Sequence, residues 1–199
     1  MQSTVNKIEN IIKRHRRGKI YFADDFASLG TSEAIKKALL RFEKSGMLVR
    51  LAHGIYFYPS IDKKLGLGIL YPSVDTIAKE IARRDKARII PTGLYALNAL
   101  GLSTQVPTNI VFHTDGAPRK IKIYNQLLTF KHVVPKNLAY KSENFMLVVS
   151  ALKEIGEQRV TDEDMKIVKK ALLNEEKENL MLDINLAPIW IRNKIQKII

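Results

Sequence analysis

TSEAIKKALLRFEKSGMLVRLAHGIYFYP, residues 31–59, is the stretch on which the fold turns. Its first half predicts a helix that starts after Thr31 or Ser32, carries Ile35, Leu39 and Phe42 at i, i+4 and i+7, and stops at Ser45-Gly46. Its second half holds two β-prone runs around the turn residues His53-Gly54, which predicts a small hairpin closed by Pro59. Upstream, Val5, Ile8, Ile11 and Ile12 give a helix from about Thr4 to Arg16, with Ser3 as N-cap and Gly18 as its end. A short second helix, about Asp25 to Leu29, lies between Asp24 and Gly30 and brings Phe22, Phe26 and Leu29 to the core. Three helices and a hairpin in this order are the plan of a winged helix-turn-helix, in which one helix enters the major groove and the wing touches the backbone or minor groove.

Residues 1–60 are therefore expected to form a winged helix-turn-helix DNA-binding domain, 61–73 a connector, and 74–199 a second domain. In the connector, Gly66-Leu67-Gly68 lacks the third glycine and the preceding strand of a dinucleotide loop, so that motif is rejected. Beyond it, Ser73 caps a helix from about Val74 to Asp85, a short strand runs from Ala87 to Ile90, and Leu94 to Leu100 is an apolar helix whose composition implies burial. Strands at 109–114, 120–124 and 127–133 predict a small antiparallel sheet. Helices at about 145–155, 161–173 and 188–199 complete the chain. The class expected is α+β: a winged helix-turn-helix followed by a mixed C-terminal domain with helices around a small antiparallel sheet.

Composition fits a folded protein and excludes several classes of chemistry. Of 199 residues, 46% are hydrophobic and 27% charged, with no Cys, which removes disulfides, thiolate zinc sites and thiol nucleophiles. No apolar run approaches the ~20 residues needed to span a bilayer, and Met1 to Glu9 show no signal-peptide pattern, so a cytoplasmic location is expected with no membrane partner. The net charge is +13, and its placement is uneven: 13 basic against 6 acidic side chains in residues 1–64, 11 against 5 in 65–150, and 9 against 9 in 151–199. A polyanionic partner for the first two stretches accounts for this better than solubility alone once arrangement is considered.

The densest basic run is Lys13-Arg-His-Arg-Arg-Gly-Lys19, five Lys or Arg in seven residues, more than a helix dipole requires. Phosphate contact by Arg14, Arg16, Arg17 and Lys19 is favoured over a merely solvated helix end. On the 32–44 helix, Lys36, Lys37, Arg41 and Lys44 form a basic outer face, with Thr31 and Ser32 at its start. Leu40 lies about 140° from Ile35 at 100° per residue and is expected to pack on the first helix rather than meet a thymine methyl. Arg50 and His53 stand at the hairpin end, equally suited to a phosphate or to water. Tyr56, Phe57 and Tyr58 are assigned to packing.

Nothing in the sequence assembles a catalytic or metal centre. His15, His53, His113 and His132 have no ligand spacing, and no HExxH, GxSxG or Walker pattern occurs. Asp162-Glu163-Asp164 matches a helix first turn, and His113 with Asp115 sits at a strand end without a nucleophile. No catalytic residue, cofactor or metal is expected.

Three segments carry a family resemblance: Leu48-Val-Arg-Leu-Ala-His-Gly-Ile-Tyr-Phe-Tyr-Pro59, Ile90-Pro-Thr-Gly-Leu-Tyr-Ala-Leu-Asn-Ala-Leu-Gly-Leu-Ser-Thr-Gln-Val-Pro107 and Leu186-Ala-Pro-Ile-Trp-Ile191. They resemble the AbiEi-like antitoxins of bacterial abortive-infection, phage-defence toxin–antitoxin operons. The resemblance implies an antitoxin and transcriptional autorepressor whose winged helix binds inverted repeats in its own promoter. It also implies a C-terminal domain that counters a cognate nucleotidyltransferase-like toxin, with or without a stable complex. In relatives the residue before the wing-turn Gly is often Arg or Lys; here it is His53. The alternative from another class is a nucleic-acid-processing enzyme of a defence system with its site in residues 70–199. Trp190, the single Trp, is expected to be a core anchor more than a partner hot spot.

Overall fold

The Ser3 hydroxyl accepts from the Asn6 amide at 3.3 Å and starts α1, Thr4–Arg14, whose Ile8 and Ile12 are fully buried at i, i+4 spacing. The computed structural model describes residues 3–62 and 65–199 of a mixed α+β chain. It divides into two compact units, 1–80 and 81–199. The division falls inside the helix at Val74–Arg84, which the sequence reading places wholly in the second domain. Among the described residues no helix is long and apolar enough to cross a membrane.

In the first unit α1 ends two residues sooner than the sequence predicts, because His15 turns extended with ψ 156°. Strand β1, Ile20–Phe22, follows and was not anticipated: it has three residues, all buried, and so no alternation to read. A 3-10 helix, Ala23–Leu29, comes next, with the Asp25 carboxylate accepting from the Phe22 amide at 2.8 Å. Helix α2, Ser32–Lys44, begins at Thr31, whose hydroxyl accepts from the Ala34 amide at 3.3 Å, and buries Ile35, Leu39 and Phe42 as its spacing predicts. Each such side chain contributes ~2 kcal/mol of burial.

Strands β2, Val49–Ala52, and β3, Ile55–Phe57, form the expected hairpin, with Gly54 at φ 73° in the turn. The sheet is three-stranded rather than a bare hairpin, in the order β1-β3-β2, and a register shift falls between Arg50 and Ala52. Its inward side chains join both α-helices in one core that includes Tyr21, Phe26, Tyr56 and Tyr58. Two paired strands, β4, Ser60–Asp62, and β5, Gly68–Leu70, span most of the segment read as a connector and begin one residue before it. Lys63 and Lys64 of that connector lie outside the described residues.

Helix α3, Val74–Arg84, is capped by the Ser73 hydroxyl, which accepts from the Thr76 amide at 3.1 Å. In the second unit β6 runs Ile89–Thr92, later than predicted, and α4 runs Gly93–Ala99. The burial predicted for α4 is not found. Only Ala96 is buried, and Leu94 is 43% exposed, because this seven-residue helix is covered on one side only. Strands β7, Asn109–Thr114, β8, Arg119–Ile123, and β9, Gln126–His132, complete a four-stranded sheet in the order β6-β7-β9-β8.

This sheet is mixed, which corrects the antiparallel expectation: β7 and β9 are parallel, the other two pairs antiparallel. The reason lies in the strands. β9 buries Leu128, Thr129 and Phe130 in succession and takes a central place, whereas β8, RKIKI, sets its lysines at the sheet edge, where they discourage further pairing.

Helices α5, Glu143–Ile155, α6, Asp162–Leu172, α7, Lys177–Leu186, and α8, Ile189–Gln196, build a second core around Phe145, Leu152, Val168, Leu180, Ile184 and Ile191. Helix α6 carries the predicted capping box, Thr161 with Asp164. Helix α7 was not predicted, since Met181, Leu182 and Leu186 are exposed and blur its apolar stripe. Its Asp183 is fully buried and accepts from the Lys141 and Ser142 amides at 2.7 and 2.8 Å, which fixes α7 to the start of α5. Trp190 packs against this core while partly exposed.

Candidate nucleic-acid interface

The exposed edge of α2, the 3-10 helix and the β2–β3 turn enclose an open groove of about 390 Å³. It collects Ser32, Lys36, Arg50 and His53, four of the residues singled out from the sequence, from two separate elements. Arg50 donates from Nη2 to His53 Nδ1 at 3.2 Å and from Nε to the Ala52 carbonyl at 3.4 Å, so the turn carries a fixed guanidinium. With Nδ1 accepting, the remaining ring nitrogen of His53 is the donor. Lys36 has no side-chain hydrogen bond or ion pair among the described residues.

Leu40 is 47% exposed and lines the groove, so it does not pack on α1 as expected. The α1 face is already filled by Ile35, Ala38, Leu39 and Phe42, and Leu40 falls on the far side of that stripe. Ser32, Lys36 and Leu40 follow one another at i, i+4 and i+8 along the α2 edge. Tyr56, buried as predicted, borders the groove as well. Burial pushes its hydroxyl above the ordinary tyrosine value, with Arg50 partly offsetting, so it stays protonated at neutral pH.

The other predicted contact residues lie outside this groove. Thr31 uses its hydroxyl as the α2 cap. Lys37 pairs with Glu33 one turn away at 2.7 Å, both three-quarters exposed, a pair that adds little stability and yields readily to an anion. Arg41 is exposed on the opposite flank of α2.

Within the basic run, Arg17 donates to the Pro59 carbonyl at 3.0 Å and stacks 4.8 Å over the Tyr58 ring, and Lys19 sits 5.3 Å from the Tyr21 ring centre. His15 Nδ1 lies 2.9 Å from the Ile11 carbonyl and 3.0 Å from the Tyr21 hydroxyl. Burial pushes that phenol up to about 12. Arg14 and Arg16 are exposed and have no hydrogen bond or ion pair among the described residues.

Two acidic groove residues, Asp24 and Glu43, escaped the sequence reading. They make the groove mixed in charge, able to accept from a base amino group as well as donate to base edges or phosphates. Asp24 reads as a cap in the sequence and Glu43 as part of a helix surface; only the position of the hairpin joins them. Among the described residues no group of three or more His, Asp or Glu side chains is placed to hold a metal ion.

The sequence profile of DUF6088, a family of unknown function, matches residues 7–180. The chain belongs to DUF6088. No curated protein matches this DUF6088 member. Among solved structures it is similar to the RV2827C protein from Mycobacterium tuberculosis, at 12% identity and a TM-score of 0.46, over 98% of this chain and 81% of that one.

Proposed function

We propose that residues 1–60 of this DUF6088 protein are a winged helix-turn-helix that binds duplex DNA. We further propose that the chain is a cytoplasmic antitoxin and autorepressor of a toxin–antitoxin operon, acting against a nucleotidyltransferase-like toxin. One observation carries the DNA part: the edge of α2 and the tip of the β2–β3 hairpin share a groove that presents Ser32, Lys36, Arg50 and His53. In a winged helix this is where a major-groove helix and a backbone-contacting wing act together. The unpartnered Arg14 and Arg16 add phosphate contacts. The antitoxin part rests on the resemblance of residues 48–59, 90–107 and 186–191 to AbiEi-like antitoxins.

Fluorescence anisotropy of the full chain on its own promoter and on a scrambled duplex tests the reading. If about five phosphates are neutralised, log affinity falls against log salt with a slope of roughly −4 to −5. A salt-insensitive interaction, or none, overturns it. Lys36→Ala should lose ~1–3 kcal/mol on the promoter alone if Lys36 reads a base edge, while Arg16→Ala should weaken both duplexes alike. Repression and protection should also separate. The triple variant Arg16→Ala, Lys37→Ala, Arg41→Ala should lose promoter repression and still protect cells when expressed from an unrelated promoter. A folded triple variant that fails to protect contradicts a C-terminal seat for antitoxicity.

A further inference from the structure

The second unit holds an open cavity of about 510 Å³ that DNA binding by the first unit does not use. Its floor is one face of the mixed sheet. His113 of β7 stands opposite Lys131 of β9 in the parallel register, and strand alternation places both, with Val111, on the cavity side. The intervening Ile110, Phe112 and Phe130 go to the other face and are buried. The facing wall is α5, which lines the cavity with Met146, Val149, Ser150 and Lys153, at i, i+3, i+4 and i+7.

Lys131 and Lys153 thus reach one cavity from a strand and from a helix. Neither has a hydrogen bond or ion pair among the described residues, whereas two arginines of this unit, Arg88 and Arg119, are engaged. Arg88 binds Asp115 and the carbonyls of Pro135 and Leu138, and Arg119 is paired with Asp85. Glu154 is the one carboxylate on the lining and leaves a positive excess. His113 lies close enough to feel both lysines. Burial first, then the charges of Lys131 and Lys153, hold its imidazole below the ordinary histidine value. Two cations that reach one cavity against a single carboxylate are suited to a dianion. The space far exceeds that of a phosphate ion, and Val111, Met146 and Val149 offer the remainder an apolar surface.

We propose that this cavity binds a phosphate monoester of nucleotide size, with its phosphate between Lys131 and Lys153 and its organic part against Val111, Met146 and Val149. Calorimetry on the full chain compares AMP and UMP with adenosine, inorganic phosphate and a single-stranded oligonucleotide carrying a 5′-phosphate. The mononucleotides should bind and adenosine should not. Lys131→Ala and Lys153→Ala should each weaken binding by about tenfold or more. Lys120→Ala, on the edge strand and outside the lining, should leave it unchanged. A second readout is the His113 titration followed by NMR. Among the neighbouring ionisable groups, Lys131, Lys153, Glu154 and Tyr140, only the two lysines would gain a counter-ion, so bound nucleotide should raise the His113 midpoint.

Binding of the oligonucleotide without the mononucleotides would give the cavity to nucleic-acid ends and overturn the proposal. So would binding of inorganic phosphate alone, binding of nothing, or affinities untouched by both lysine variants. The triple variant of the first unit should retain nucleotide binding, so failure here and failure of DNA recognition are separate results.

Discussion

The two units carry similar positive excesses and use them in different ways. In the first, the chain's turns are fastened by cations: Arg17 on the Pro59 carbonyl and Arg50 on His53. Arg14, Arg16 and Lys36 remain uncommitted at its surface. In the second, arginines do the fastening, Arg88 and Arg119, while Lys131 and Lys153 are left facing a cavity. A planar five-donor guanidinium can join several carbonyls and carboxylates at once, whereas an ammonium on a flexible stem is readily left for a ligand. Net charge therefore locates a binding region only after the committed cations have been subtracted.

The largest expected effect breaks the second unit at a group that carries no positive charge at all. Asp183→Ala removes the acceptor of two amides at the start of α5 and leaves them unpaired beside a filled core. It should cost ~3 kcal/mol in urea unfolding, with Asp183→Asn intermediate because one carbonyl oxygen remains. An Asp183→Ala protein as stable as the parent would mean that α7 is not fastened through this carboxylate.

In the first unit the corresponding weak point is steric. Gly30 has an extended backbone, and a Cβ there would come 2.5 Å from Thr4 Oγ1 and 2.9 Å from Thr4 Cγ2. Gly30→Ala should cost ~2 kcal/mol, because Thr4 must give up its bond to the Leu29 carbonyl at 3.3 Å. Adding Thr4→Ala should recover part of the loss. A double variant that is merely additive would show that the crowding is relieved elsewhere.

These two residues also mark where the sequence was legible. Helices α1, α2 and α6 were readable because their caps and apolar stripes are local: Ser3, Thr31 and Thr161 each bond within one turn. The hairpin at 49–57 was readable from its turn, and with it Arg50, His53 and the groove edge of α2. What escaped depends on distant partners. β1 exists because β3 accepts it, β9 lies between β7 and β8 because each pairs with one of its edges, and Asp183 sits in a helix whose own pattern is indistinct. Asp24, Glu43 and Leu40 join the groove, and Lys131 meets Lys153, only through tertiary placement.

Arg88→Ala gives a smaller effect with a defined pH signature. Arg88 holds Asp115 through its side chain, at 2.8 Å, and its amide, at 2.7 Å. Desolvation alone would raise the Asp115 carboxyl, but the hydrogen bonds and charge of Arg88 outweigh it and hold the group below its ordinary value near 3.8. A depressed carboxyl contributes stability above its unfolded pKa and loses it as pH falls through the folded value. The parent should exceed Arg88→Ala by ~1 kcal/mol at neutral pH, discounted because half of the arginine side chain is exposed. That gap should narrow in acid, and equal gaps at pH ~6 and ~2 would remove Asp115 from the account.

The smallest expected change in stability is the most informative about the groove. Leu40 and Leu39 are neighbours in sequence, yet Leu39 is 1% exposed and Leu40 47%. Leu39→Ala should cost ~3 kcal/mol by leaving a cavity in the core, whereas Leu40→Ser should stay within ~0.5 kcal/mol. This exposed side chain sits on the α2 edge beside Lys36, in line with Ser32, and in the proposed DNA complex it is the group that would meet a thymine methyl. If the groove reads DNA, Leu40→Ser should weaken promoter binding severalfold with an unchanged salt slope, since no phosphate contact is lost, while Arg16→Ala should flatten the slope. Equal affinity for Leu40→Ser and parent would leave the α2 edge outside the interface and assign any DNA binding to the basic run alone.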